Sequence, residues 1–292
     1  MKDFFYLLRP QQWLKNFFIF APTFFSNHLL DIEYLLPTFV SFISFCFISS
    51  SIYCFNDIMD VETDRIHPTK RLRPIASRKV SFKEAYVIMG GCFVISMAIL
   101  PMTHSNNLLL LYLLTACYWL MNIAYCLKLK QYAILDVSII AFGFVLRVFI
   151  GGLTTAIWIS QWLILMTFLI AIFLALTKRS DDYTIFEHTG TKPRVSITGY
   201  NISFINQATS IVASVNLVCY IMYTMSEEVI SRMGTQNLYL TSIWALLGYL
   251  RYFQNMIVYN NSNSPTKAVT SDRFIQVCLS GWILSFILIL YW

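Results

Sequence analysis

Asn56, Asp57, Asp60 and Asp64 form the pattern N-D-x-x-D-x-x-x-D in a chain with only 12% charged residues. A helix turns by about 100° per residue, so these four positions share one face. Three neighbouring carboxylates repel one another unless a cation lies between them. Hard oxygen donors one turn apart suit Mg2+, which keeps several waters and binds phosphate oxygens on its free side. Glu62 points off this face and reads as solvated. Bases follow at once: Lys70, Arg71 and Arg73, then Arg78 and Lys79. Between acids and bases, His67-Pro68 should end the helix, since proline disfavours helix in the residue before it. Arg forks and Lys point charges bind phosphate. Acids for a metal beside bases for phosphate make a diphosphate site. The competing reading is a solvated charged face, with Arg78 and Lys79 as headgroup anchors.

These residues need elements to hold them. The chain has 292 residues, 57% of them hydrophobic, which implies an all-α integral membrane protein with several helices. Nine spans are predicted, near 14–30, 34–55, 85–103, 107–127, 131–152, 160–178, 202–225, 236–259 and 274–292. With the N-terminus inside, the inner segments collect 19 of the 21 Lys and Arg; Arg232 lies outside and Arg147 within the fifth span. The positive-inside rule then puts the N-terminus and the acidic motif at the cytoplasmic face of the inner (plasma) membrane, with Trp292 outside. The net charge of +6 comes from these loops and gives no reason to propose nucleic acid. Seven Cys without a CxxC pair read as buried and reduced. "FFIFAPTFF" reads as a retained helix, because the polar "RPQQWLKN" precedes it and no cleavage site follows. There is no internal repeat and no long linker, so residues 1–292 read as one domain.

"NDIMDVETD" resembles the first acidic motif of the UbiA superfamily of intramembrane prenyltransferases. The longer "NDIMDVETDRIHPTKRLRPIASRKV" is similar to one branch, the decaprenyl-phosphate phosphoribosyltransferases. So are "LRPQQWLKN" at 8–16, "YCLKLKQYAILD" at 125–136, "FGFVLRVFIGG" at 142–152, "KRSDD" at 178–182, "LRY" at 250–252 and "PTKAVTSDR" at 265–273. The resemblance implies a nine-helix bundle around an inner-facing polar cavity. It also implies Mg2+-dependent transfer of 5-phosphoribose from phosphoribosyl diphosphate (PRPP) to a polyprenyl phosphate. PRPP carries a diphosphate and a separate 5-phosphate, and the chain offers Lys15, then Lys70, Arg71 and Arg73, then Lys178 and Arg179, with Lys128 three residues after Tyr125. The superfamily's second motif, D-x-x-x-D, is absent after the sixth span, where the inner loop reads "KRSDDYTIFEHTG". Pro265 and Asp272 match the branch, whereas Thr266 replaces an acidic residue.

The expected reaction places Mg2+ on Asn56, Asp57, Asp60 and Asp64 to stabilise the leaving diphosphate. A lipid phosphate then attacks C1 of the ribose. On helical spacing Lys178 and Asp182 share a face, and "KRSDD" reads as the grip on the sugar-phosphate end. Asp136 is expected to face the inner cavity. Arg147 lies about 22 Å along the fifth span, too deep for phosphate chemistry, and reads as a structural pairing or a polar cavity. Gly151 and Gly152 read as permitting close helix packing or a turn. His28, His104 and His188 stand apart from any second metal ligand. The first rival is a prenyltransferase acting on a prenyl diphosphate and an aromatic acceptor; the surplus of bases and the missing D-x-x-x-D count against it. The second rival, a transporter or scaffold with no chemistry, would spread its charges along a transmembrane path, whereas here nearly all lie on one side. The oligomeric state stays open, a homo-oligomer included.

Overall fold

The computed structural model describes residues 2–66, 70–190, 195–259 and 271–291, and every regular element among them is helical. His67-Pro68, Pro265, Thr266 and Trp292, on which expectations rest above, lie outside the described residues. Among the described residues six helices are long and apolar enough to cross a membrane. They are α1 (Ile32–Met59), α2 (Phe82–Ile99), α3 (Leu108–Leu127), α4 (Leu135–Thr155), α5 (Gln161–Thr189) and α6 (Ile202–Thr224). α7 (Ser242–Phe253) and α8 (Arg273–Tyr291) complete the main elements.

The count of nine spans is not confirmed. The stretch expected as the first span winds as a 3-10 helix, Pro10–Phe20, followed by the five-residue helix Ala21–Phe25. Pro10, Pro22 and the buried polar Asn16 interrupt a continuous apolar helix there. The eighth expected span is divided among a 3-10 turn (Asn237–Thr241), α7 and a π turn (Gln254–Val258).

The chain forms two compact units. The first comprises Met1–Lys130 and Gly143–Ile159; the second comprises Gln131–Phe142 and Ser160–Trp292. α4 thus gives its beginning to the second unit and its end to the first.

In the first unit α1 is the central helix, and serines bring its neighbours close. Ser44 Oγ donates to Ser96 O (2.9 Å) and Ser51 Oγ to Met89 O (2.9 Å), joining α1 to α2. Small polar residues let membrane helices approach while satisfying buried hydroxyls. A capping box between Ser81 and Glu84 starts α2. Phe45, Ile48, Ile52, Leu111, Tyr118 and Ile150 fill the core. At Gly151 a Cβ would lie 2.0 Å from Ile19 O, so the expected close packing holds there. Arg147 is buried in this unit among neutral hydrogen-bond partners, which is the structural pairing expected of it.

In the second unit α5 packs along α6, and Val137, Ala175, Leu176, Tyr200 and Ile205 form a core. α7 packs on α8, where the Trp244 ring lies against Gly281.

Candidate active site

α1 carries Asn56 and Asp57 in its last turn and ends at Met59. Asp60 leaves helical geometry (φ −94°, ψ 5°), and a short helix resumes over Val61–Ile66. The ladder nevertheless continues: Asp60 N donates to Asn56 O (2.9 Å) and Asp64 N to Asp60 O (2.8 Å). The one-turn spacing of the motif therefore survives the break. Asp57 and Asp64 are buried, at 2% and 3% exposure. Glu62 is solvent-exposed and pairs with Arg65, as its position off the face implied.

Three bases reach these acids from three parts of the chain. Asp57 accepts from Arg9 and, at 3.2 Å, from Arg73. The same Arg73 Nη1 donates to Asp64 at 2.6 Å. Lys130 donates to Asp60, which also accepts from Asn56 Nδ2 at 3.0 Å. Cys126 Sγ lies 3.4 Å from Asn56 Oδ1. Arg9 also lies over the Tyr53 ring, 5.2 Å from its centroid. The result is an acidic row matched by bases, half-buried at the end of α1.

Of the expected bases, Arg73 joins the acids. Lys70 and Arg71 occupy the single 3-10 turn Lys70–Leu72 just before it. Lys15 and Lys128 are exposed, and Tyr125 is half-buried near the end of α3. Sequence reasoning missed Arg9 and Lys130. Both lie in the strings quoted for the resemblance, where Lys15 and Lys128 drew attention instead; what picks out Arg9 and Lys130 is that each reaches an acid of the motif.

The second unit holds a different cluster. The "KRSDD" segment lies within α5, which runs on to Thr189, so it is helix rather than the expected loop. Asp136 is fully buried and does not face a cavity as expected. It accepts from Arg179 Nε (2.8 Å), Ser196 Oγ (3.0 Å), Tyr200 Oη (2.6 Å) and Val137 N (2.9 Å). A carboxylate sealed from water needs that many donors. Arg179 is 1% exposed and also donates to Asp182 at 3.2 Å. Lys178 is exposed one residue earlier. Burial pushes the Tyr200 phenol pKa up, and its bond to Asp136 adds to the shift.

Asp57, Asp60, Asp64 and the Asn56 amide oxygen are the hard donors that a divalent cation takes. Among the described residues no three acidic, His or Cys side chains already converge as a metal site. Guanidinium and ammonium groups stand among the carboxylates, so the donor chemistry fits and the positive charge there comes from the chain itself.

A model of the UbiA prenyltransferase family matches residues 17–185. The chain belongs to the UbiA prenyltransferase family. It is 32% identical over 286 residues to the decaprenyl-phosphate phosphoribosyltransferase of Mycolicibacterium smegmatis, covering 94% of this chain and 88% of that one. It is 26% identical over 286 residues to the protein of the same name from Corynebacterium glutamicum, covering 97% and 85%. A UbiA homolog from Archaeoglobus fulgidus, solved bound to GPP and Mg2+, has the same fold: TM-score 0.70 at 15% identity, over 99% of both chains. The UbiA match includes the whole acidic row, Arg73 and Lys130, and it begins after Arg9 and Lys15.

Proposed function

We propose that this UbiA-family chain transfers 5-phosphoribose from PRPP to a polyprenyl phosphate and releases diphosphate. The observation that carries this reading is the acidic row matched by Arg9, Arg73 and Lys130. The names of the two bacterial relatives support it. Asn56, Asp57, Asp60 and Asp64 would hold a divalent cation, Mg2+ in this reading, whose chemistry is to offset the charge of the leaving diphosphate.

The chain's own residues do the rest. Arg9, Arg73 and Lys130 turn from the carboxylates to the diphosphate oxygens, as charge-assisted donors. Lys15, Lys70, Arg71, Tyr125 and Lys128 extend the phosphate-binding surface. Within the second unit Arg179 holds Asp182 in place. The bond from C1 to the diphosphate breaks, and its electron pair leaves with the diphosphate. An oxygen of the lipid phosphate forms the new bond to C1 from the opposite face. That acceptor is already anionic, so no strong general base is needed, and catalysis rests on positioning and electrostatics. The site faces the cytoplasm and the C-terminus lies outside, supported by the 19 of 21 Lys and Arg on one side of the predicted topology.

The test is donor choice. Purified protein with Mg2+ and polyprenyl phosphate is offered PRPP or a prenyl diphosphate. Consumption of PRPP with formation of a phosphoribosyl lipid supports the reading; consumption of the prenyl diphosphate alone replaces it with prenyl transfer.

A further inference from the structure

Arg147 is a charged residue that the reaction above does not use. It is 4% exposed, within a helix apolar enough to span a membrane. Among the described residues no carboxylate pairs with it. Its three donor nitrogens bind neutral oxygens instead: Nε to Asn16 Oδ1 (2.9 Å), Nη1 to Gly143 O (2.7 Å) and Nη2 to the Tyr118 hydroxyl (2.8 Å). The rings of Tyr118, Phe45 and Phe144 surround the guanidinium carbon at 4.8, 5.1 and 5.3 Å. A buried cation is costly, and the fork of hydrogen bonds and the ring faces are what hold it.

The partners show what this arrangement does. Gly143 belongs to the same helix and Tyr118 to α3; Asn16 belongs to the N-terminal 3-10 helix. Asn16 is fully buried, accepts from Ser49 Oγ (3.3 Å) and donates to Cys46 Sγ (3.4 Å). Nearer the N-terminus, Trp13 Nε1 donates to Ser50 Oγ (3.1 Å), and Ser50 Oγ donates to Leu8 O (2.8 Å). The segment is thus pinned to α1 at residues 8, 13 and 16, and Arg9 lies between the first two pins. Arg9 has left-handed backbone (φ 51°, ψ 58°). A non-glycine residue keeps that conformation only where its surroundings over-determine it.

We infer that Arg147 is a positioning residue: acting through Asn16, it holds the N-terminal segment in the register that aims Arg9 at Asp57. The kinetic half of the test rests on the proposed use of PRPP; the structural half does not. Six variants are compared in detergent: Arg147→Met, Arg147→Lys, Asn16→Leu, Asn16→Asp, Arg9→Ala and the double variant Arg9→Ala/Arg147→Met. Arg147→Met and Asn16→Leu are expected to raise the KM for PRPP about tenfold with kcat changed by less than about threefold. Trypsin should cut after the exposed Lys15 faster in both than in the wild type. Arg147→Lys keeps the charge without the fork and should fall with Arg147→Met. Asn16→Asp keeps an oxygen for Arg147 Nε and should stay near wild type in both assays. In the Arg9→Ala background, Arg147→Met should add less than about a twofold further loss, because coupled residues are non-additive. Additive losses overturn the inference, and so does wild-type cleavage in both Arg147→Met and Asn16→Leu. If Arg147→Met does not fold, Asn16→Leu and Asn16→Asp decide the matter. Should the wild type consume no PRPP, the proposed reaction fails while the cleavage comparison still decides the positioning role.

Discussion

Lys130 donates to Asp60 from 70 positions further along the chain, so the turn after α3 closes on the helix break after α1. Both side chains are partly exposed, at 21% and 28%. The pair is therefore accessible to a substrate and contributes little to stability. Lys130→Met is expected to lower kcat/KM for PRPP by roughly 10- to 100-fold, the equivalent of one charge-assisted hydrogen bond of about 1.5–3 kcal/mol. Lys130→Arg should recover part of that loss. Steady-state kinetics at saturating lipid phosphate and Mg2+ measures both.

Asp60 and Asp64 should part company when each is changed to Asn. Both variants are expected to lose turnover by about 100-fold or more, since each removes a charged oxygen from the proposed cation site. Asp60 is partly exposed, so Asp60→Asn should keep the wild-type melting temperature. Asp64 is buried against Arg73 at 2.6 Å, and breaking a buried pair costs about 3–5 kcal/mol. Asp64→Asn should therefore melt several degrees lower. Thermal unfolding in detergent beside an activity assay reads the difference; near wild-type turnover of either variant at limiting Mg2+ would remove the metal assignment.

Asp136 predicts loss of stability above all. Four donors converge on its carboxylate, one of them the buried Arg179 guanidinium. Asp136→Asn takes away the charge that balances Arg179 and is expected to cost about 3 kcal/mol or more. Tyr200→Phe removes one hydrogen bond and should cost about 1 kcal/mol. Denaturant or thermal unfolding of the two variants gives the ratio, and equal small losses would mean that the cluster is not structural.

Asp272 supplies a pH signature. Burial raises its pKa, but the bonds from Asn255, Arg251 and the Ile275 amide outweigh that, and the carboxyl is held down to about 2 against its ordinary 3.8. A folded-state pKa below the unfolded one gives stability that is present above the unfolded value and lost as pH falls towards the folded value. Tryptophan emission from Trp244 and Trp282, on α7 and α8, should report loosening between about pH 4 and pH 2 in the wild type. Asp272→Asn should be weaker throughout and flat across that window.

How far the sequence could be read follows from the range of each interaction. The acidic row was legible because its spacing is local and survives even the break at Asp60. Arg73 was legible because it lies nine residues from Asp64. Arg9 and Lys130 were not, because nothing local marks them; what marks them is an acid of the motif 48 or 70 residues away. Asp136 and Arg179 each looked like a residue that faces substrate, and they satisfy each other inside the second unit. The membrane character was plain from hydropathy, while the number of spans was not. Hydropathy counts apolar residues, but Pro10, Pro22 and buried Asn16 decide whether a stretch winds as one helix.

The left-handed backbone at Arg9 sets a limit on engineering this enzyme. A side chain at φ 51° carries a strain of about 1–2 kcal/mol that glycine would relieve. Arg9→Gly is thus the change that any search for a hardier variant would favour at this position, and it deletes the guanidinium that meets Asp57. Lysine would keep a charge but neither the fork nor the backbone relief. Robustness and turnover therefore pull in opposite directions at one residue, and thermostable variants selected without an activity screen should accumulate inactive chains altered there.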